Sequence, residues 1–214
     1  FRGKTVTVTG YPIRPDLAKW TRSTGRKQLG LSEELPVLLV SGGSRGARSI
    51  NNAVMENLPT LLEKAQLIHI SGELDWQTIE ANREKLGSEL AARYLAYPYL
   101  HEEMGAALAA ADLVVSRAGA STLGEYPLFG LPAILVPYPY AWRYQKVNAD
   151  HLAQRGAAIV LENDQLHDDL SLVVTELLEN PKKLQAMRTA MRNLAQPHAA
   201  VKIASQIMAL AERR

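Results

Sequence analysis

Cysteine is absent from the 214-residue sequence. Disulfides and thiolate metal sites are thereby excluded, and the composition suits a reducing compartment. Net charge is nearly absent too: 24 Lys and Arg stand against 22 Asp and Glu, leaving +2. Such a balance creates no field that would draw in a nucleic acid, and none is expected as a partner. No apolar run reaches the roughly 18 residues needed to span a bilayer as a helix, and no secretory leader pattern is visible. The phosphate-loop and dinucleotide signatures GxxxxGK[ST] and GxGxxG are missing. No Ser–His–Asp order, no ligand-spaced cluster of His and carboxylates and no carboxylate pair stands out. Neither a metal nor an organic cofactor is therefore expected.

The chain is 47% hydrophobic and 21% charged, the balance of a globular protein long enough to bury a sizeable core. Short aliphatic or β-branched runs alternate with helical periodicity. Strands are expected at Thr5–Thr9, Val37–Ser41, Gln66–Ser71, Arg93–Ala96, Leu113–Ser116, Ala133–Val136 and Ala158–Leu161. Helices are expected at Ser49–Asn57, Trp76–Leu86, His101–Ala110, Thr122–Phe129 and Lys146–Arg155. Three more follow at Asp168–Glu179, Pro181–Leu194 and Val201–Arg213. The opening "FRGKTVTVTG" reads as a strand already under way, so the start is expected to be a cut or a domain boundary. Lys19–Leu35, with Arg22, Gly25, Arg26 and Lys27, reads as a solvated connection. The alternation implies an α/β fold: a Rossmann-like parallel sheet with helices on both faces. Ligands of such sheets sit beyond the carboxyl ends of the strands.

Four strand ends carry unusual residues. The first is "VLLVSGGSRGARSINNAV", where a buried strand runs through Gly42-Gly43-Ser44-Arg45-Gly46-Ala47 into a helix. Glycines permit tight turns and close approach to a ligand, and a helix start offers unpaired N–H groups to an anion. The loop is either an anion cradle or a tight strand–helix turn. The second is "YLAYPYLHEEMGAAL", whose stiff aromatic Tyr97-Pro98-Tyr99-Leu100 could wall a flat base or simply pack under a loop. The third is "SRAGASTLGEYPLFGLP", in which Arg117-Ala118-Gly119-Ala120-Ser121 turns into a helix near Thr122. Glu125 in its first turn either complements the helix dipole or accepts hydrogen bonds from a vicinal diol. The fourth is "ILVPYPYAWRYQKVNADHLAQRG", where Gln145 and Asn148, three apart, share a helical face. Their amides either read sugar hydroxyls or face solvent.

Taken together, "GGSRGA", "SRAGASTLGE…GLPAILVPYP", "QKVNA" and the opening "VTGYPIRPDL" closely resemble the C-terminal half of the MurG family of bacterial N-acetylglucosaminyltransferases. The resemblance covers nearly the whole chain. It implies that residues 1–214 form the UDP-sugar donor-binding domain of a GT-B glycosyltransferase. It further implies that Arg14 and Ser44 contact the diphosphate beside the main chain of Gly42, Gly43, Arg45 and Gly46. Leu100 would read uracil through its main chain with Tyr99 beside it. Thr122 would lie near the phosphates, Ala120 would belong to the same UDP-N-acetylglucosamine site, Glu125 would hold the ribose, and Gln145 and Asn148 would face the N-acetylglucosamine hydroxyls. The family's reaction is an inverting transfer from UDP-N-acetylglucosamine to a lipid-linked muramoyl-pentapeptide at the cytoplasmic face of the bacterial membrane, in peptidoglycan synthesis, without a metal. Two departures stand out. The family usually carries Gln where this chain has Arg45. Its acceptor-binding half and proposed histidine base have no counterpart here, so no catalytic residue is assigned and this chain alone is expected to bind donor without transferring sugar. Other expectations compatible with the residues are a different UDP-sugar enzyme of the same fold, including a 2-epimerase, or a non-catalytic nucleotide-sugar-binding module.

Overall fold

Val37 and Leu39 point to one side of their strand and Leu38 and Val40 to the other, and all four are completely buried. A strand apolar on both sides belongs in the middle of a sheet covered on both faces. The computed structural model, which describes residues 6–140 and 144–212, has that architecture.

After a short 3-10 helix at Pro15–Lys19 come α1 (Arg22–Leu29), β1 (Val37–Ser41), α2 (Arg48–Glu56), α3 (Leu58–Lys64) and β2 (Gln66–Ile70). The middle of the chain holds α4 (Trp76–Arg83), α5 (Ser88–Ala91), β3 (Tyr94–Tyr97), α6 (Met104–Ala110), β4 (Leu113–Ser116) and α7 (Thr122–Phe129). It continues with β5 (Ala133–Leu135), α8 (Tyr144–Ala153), β6 (Ala158–Val160), α9 (Leu166–Leu178), α10 (Pro181–Arg192) and α11 (Ala199–Ala211). The six strands run in the order β3-β2-β1-β4-β5-β6, and every pair is parallel. This is the Rossmann-like α/β fold that the alternation implies.

Two clusters of buried residues form the core. One packs Leu38, Val40, Val115 and Ile134 against α2, α3 and α9. The other packs Leu39, Ile68, Val114 and Leu135 against α6, α7 and α8. Helix α10 serves both, through Met187 and Met191. The strand order reverses between β1 and β4, so the loops leaving these two strands diverge and open a crevice.

Some elements depart from the sequence expectations. Val6–Thr9 forms no strand, and Val6 and Val8 are largely exposed. A β-branched run becomes a strand only beside a free sheet edge, and β1 and β4 have neighbours on both sides. Thr5 lies outside the described residues, as does Arg213 at the expected end of the last helix. Lys19–Leu35 is not a solvated connection. Thr21 caps α1 by accepting from the Thr24 N–H at 3.2 Å, while the Thr24 hydroxyl takes the Thr21 N–H at 2.9 Å, a reciprocal cap that nucleates the helix. Arg26 within it is completely buried. Its Nη2 donates to Asp112 Oδ2 at 2.6 Å, and that carboxylate also accepts from the Val37 N–H at 2.9 Å. The expected helix at His101 begins only at Met104, because Leu100 turns inward beneath the loop instead of opening a helical turn. Helices α3 and α5 are additional to those expected; α3 starts where Pro59 sits in its first turn, a position that suits proline.

Candidate functional site

The loop after β1 explains its glycines. Gly43 has φ +84 with nothing within 4 Å of where a Cβ would lie, whereas a Cβ on Gly46, at φ +75, would sit 2.1 Å from the Ser71 carbonyl oxygen. Gly46 is required by the close passage of the β2 loop. Gly43 faces open space, where its missing side chain leaves room for a ligand. Helix α2 begins at Arg48 with no side-chain cap. Among the described residues no protein acceptor meets the N–H groups of Arg48, Ser49 or Ile50. Helix α7 differs: its first N–H groups are taken by Gly119, Ala120 and Ser121 carbonyls, and the Thr122 hydroxyl donates to Gly119 O at 2.6 Å. The partly positive, donor-rich helix end is thus that of α2.

A cavity of about 550 Å³ opens between these loops. Of the residues singled out from the sequence, Arg14, Gly42, Gly43, Ser44, Tyr99, Leu100, Thr122, Glu125 and Gln145 line it. Glu125 is partly buried in its wall. Burial pushes its carboxyl above the ordinary carboxylate range, while a hydrogen bond from Ser121 and the Arg14 guanidinium pull it back. Among the described residues Arg14 is otherwise engaged in an exposed contact with Asp16 at 3.8 Å, a weak tie from which it can turn toward a ligand. Leu100 is buried at the cavity wall, yet among the described residues neither its N–H nor its carbonyl has a main-chain partner. An adjacent free donor and acceptor are what the imide edge of a pyrimidine base matches. Tyr99 meets His101 edge-on at 4.6 Å beside it. Gln145 Oε1 accepts from the Tyr138 N–H at 2.9 Å, leaving its NH2 group for the cavity.

Four of the singled-out positions lie elsewhere. Asn148 shares α8 with Gln145, but its amide donates to Ala118 O at 3.0 Å and braces the loop after β4 from behind. Ala120 is exposed outside the cavity lining. Arg45 and Gly46 line a second cavity of about 660 Å³, which adjoins the first through Gly42, Arg117 and Gln145.

Arg117 is the residue whose importance sequence reading passed over; its signal was a charge placed immediately after the apolar run of β4. Its guanidinium lines both cavities. Nη1 donates to Val136 O at 3.1 Å and Pro137 O at 3.4 Å, and Nη2 donates to Ser49 Oγ at 2.8 Å. Ser49 in turn donates to Asn163 Oδ1 at 2.8 Å. Burial lowers the Arg117 pKa from its usual height, opposed by the neighbouring Tyr138, whose ring centroid lies 5.3 Å from the guanidinium. Beneath it the Tyr126 hydroxyl donates to Ser116 Oγ at 2.7 Å, a fully buried pair that stiffens the end of β4.

Comparisons with known proteins follow the same lines. The family model described as "Glycosyltransferase family 28 C-terminal domain" matches residues 37–207. A protein of Roseiflexus sp. (strain RS-1) is 44% identical over 97% of the chain and 51% of its own length. One of Chlorobium limicola is 40% identical over 99% of the chain and 57% of its own length. Both are named UDP-N-acetylglucosamine--N-acetylmuramyl-(pentapeptide) pyrophosphoryl-undecaprenol N-acetylglucosamine transferase. The crystal structure of Acinetobacter baumannii MurG superposes with a TM-score of 0.74 at 27% identity, over 92% of this chain and 57% of that one. The chain therefore spans about half the length of the curated relatives it matches.

Proposed function

Because the chain belongs to the glycosyltransferase family 28 C-terminal domain family, we propose that its first cavity is the donor site of an N-acetylglucosaminyltransferase and that residues 1–214 are the donor-binding domain. The observation that carries this reading is the pairing, across one cavity, of the free main-chain donor and acceptor of Leu100 with the Glu125 carboxylate. Uracil fits the first, stacked beside Tyr99. The two ribose hydroxyls fit the second, since a carboxylate accepts two hydrogen bonds from a vicinal diol. The diphosphate then falls between Arg14, Ser44 and the main chain at Gly42–Gly43, with Thr122 at its side. The sugar points toward Gln145, whose free NH2 group donates to a hydroxyl.

The whole enzyme transfers N-acetylglucosamine with inversion to an undecaprenyl-pyrophosphoryl muramoyl-pentapeptide, a step of peptidoglycan synthesis at the inner face of the bacterial membrane. The acceptor and the general base belong to the length of the relatives that this chain does not span. The acceptor hydroxyl attacks the anomeric carbon, the bond to the β-phosphate breaks, and negative charge grows on the departing UDP. Donors already aimed at that diphosphate bind it more tightly as the charge develops, which lowers the barrier. Arg14 and the Ser44 hydroxyl supply them.

Calorimetric titration of the chain with UDP, UDP-N-acetylglucosamine, UDP-glucose and dTDP tests the reading. UDP and UDP-N-acetylglucosamine should bind, dTDP should bind more weakly, and Gln145→Ala should weaken the sugar nucleotide while sparing UDP. Absence of heat at millimolar UDP, or a preference for dTDP, overturns it.

A further inference from the structure

The indole Nε1–H of Trp20 is sealed from solvent and has no acceptor among the described residues. A buried donor left unpaired costs free energy, so shape and not hydrogen bonding sets the position of this ring. The shape is a gap at Gly105, in the first turn of α6. A Cβ there would stand 2.4 Å from Trp20 Cδ1, 2.8 Å from Nε1 and 3.2 Å from Leu17 Cδ2. Leu17 and Trp20 thus share one seat that a glycine leaves open. Lys19 Nζ lies over the ring, 5.5 Å from its centroid. The seat fixes the 3-10 helix Pro15–Lys19, and Arg14 caps the other end of that helix. The Arg14 carbonyl accepts from the Leu17 N–H at 3.2 Å, and the Leu17 carbonyl accepts from the Trp20 N–H at 3.2 Å. A second glycine holds the chain just before Arg14: a Cβ on Gly124 of α7 would stand 2.8 Å from Ile13 Cγ2. Arg14 is carried between these two glycine seats. One adjoins Glu125 in α7 and the other adjoins Met104 in α6, and both neighbours line the first cavity.

We propose that Trp20 is a positioning residue for the donor's diphosphate, holding Arg14 at the cavity wall through its seat on Gly105. The inference rests on the reading of the first cavity as the donor site. Trp20 does not itself line that cavity, so it acts through Arg14. A 3-10 helix this short has poor hydrogen-bond geometry and keeps its place by what it packs on. The contact of Arg14 with Asp16 lies inside the same helix and cannot anchor it to the sheet. Helix α6 has a separate anchor. Gly25 of α1 approaches it so closely that a Cβ would stand 2.5 Å from Ala106 O, and Arg26 Nε donates to Ala110 O at 3.4 Å. Loss of the indole therefore releases the 3-10 helix and Arg14 while α6 and the Leu100 loop stay in place. A guanidinium on a released main chain has to be ordered at each binding event, and that entropy is taken from affinity. The loss falls on the charged part of the ligand.

The test is calorimetry of the full chain with UDP at low and high salt, for the wild type, Trp20→Ala, Arg14→Ala and the double variant. Trp20→Ala should weaken UDP roughly fivefold or more and flatten the salt dependence of binding as Arg14→Ala does, because both withdraw the same charge from the phosphates. The double variant should bind no more weakly than Arg14→Ala alone, since residues that act through one another are not additive. Trp20→Phe keeps the ring in its seat and drops only the unpaired N–H, so it should retain wild-type affinity. Should Trp20→Ala not fold, as judged by circular dichroism, Gly105→Ala takes its place with the same expected losses, because its methyl drives the indole out. Wild-type affinity in Trp20→Ala, an unchanged salt dependence, a Trp20→Phe chain as weak as Trp20→Ala, or losses that add to those of Arg14→Ala overturns the proposal and leaves the nucleotide reading intact. If the wild-type chain gives no heat with UDP, the nucleotide reading fails and this proposal falls with it.

Discussion

Asn51 Oδ1 accepts a hydrogen bond from His69 Nε2 at 3.0 Å, in the sealed interior between α2 and β2. The Asn51 amide group donates to Ser71 O and to Asp75 Oδ2, so its oxygen must be the acceptor and His69 carries its proton on Nε2. His69 Nδ1 then accepts from the Tyr94 hydroxyl at 2.8 Å. The neutral ring links the core to the carboxylate at the rim of the second cavity.

That geometry sets a pH dependence of stability. Burial lowers the His69 pKa from 6.5 to about 4, so between these values the unfolded chain binds the extra proton and the folded chain does not. Stability attributable to His69 is complete above pH 6.5 and is lost as pH falls toward 4. At pH 5 the loss is about 2 kcal/mol. Urea unfolding at pH 7.5 and pH 5 should show it, and His69→Gln should flatten that difference while lowering stability at both.

Glu125 separates binding from stability. Its raised pKa means that the folded chain disfavours the charged carboxylate, so Glu125→Gln should melt at the same temperature or higher at neutral pH. The same change removes a charged acceptor for the ribose, worth about 1.5–3 kcal/mol, and should weaken UDP at least tenfold. Wild-type affinity for UDP should also fall as the pH drops through a point above the usual carboxylate range, and Glu125→Gln should not follow. Melting curves and calorimetry across pH check both; equal losses of binding and stability would mark Glu125 as a structural residue.

The two glycines of the β1 loop should behave differently. Gly46→Ala forces a Cβ against the Ser71 carbonyl and should destabilise the fold by more than the ~1–2 kcal/mol of a left-handed alanine alone. Gly43→Ala carries only that conformational cost in the free chain, because its Cβ meets nothing. It places a methyl in the nucleotide cavity, however, and UDP affinity should fall more than stability. Parallel denaturation and titration of the two variants distinguish them.

Asp112 is a purely structural carboxylate. It holds buried Arg26, accepts from the Val37 N–H and is approached by Arg188 Nη2 at 3.3 Å. Asp112→Ala leaves the buried Arg26 guanidinium with only the exposed Glu33 carboxylate, 4.0 Å away, as counter-charge among the described residues, and breaking such a pair costs about 3–5 kcal/mol. The midpoint of urea unfolding should drop accordingly. Under conditions where the variant stays folded, its UDP affinity should match wild type, because Asp112 precedes β4 at the end of the sheet away from the cavities.

The sheet, its two covered faces and the loops that open beyond β1 and β4 were legible in the linear order of residues. Each rests on short-range chemistry: a run of aliphatic residues commits a segment to a buried strand, and glycine at the strand end commits it to a turn. Tertiary structure alone decided matters that depend on partners distant in sequence. The basic, glycine-bearing stretch around Arg26 is a helix because Asp112, 86 residues away, neutralises it. Val6–Thr9 pairs with no strand: β1 and β4 already have neighbours on both sides, and the sheet's free edges are those of β3 and β6. Asn148 turns to the Ala118 carbonyl while Gln145 lines the cavity, although helical spacing makes them equivalent. The uncompensated charge of Arg117 emerges only when four strand-end loops meet around it, since electrostatic balance is a property of neighbours in space and not of neighbours along the chain.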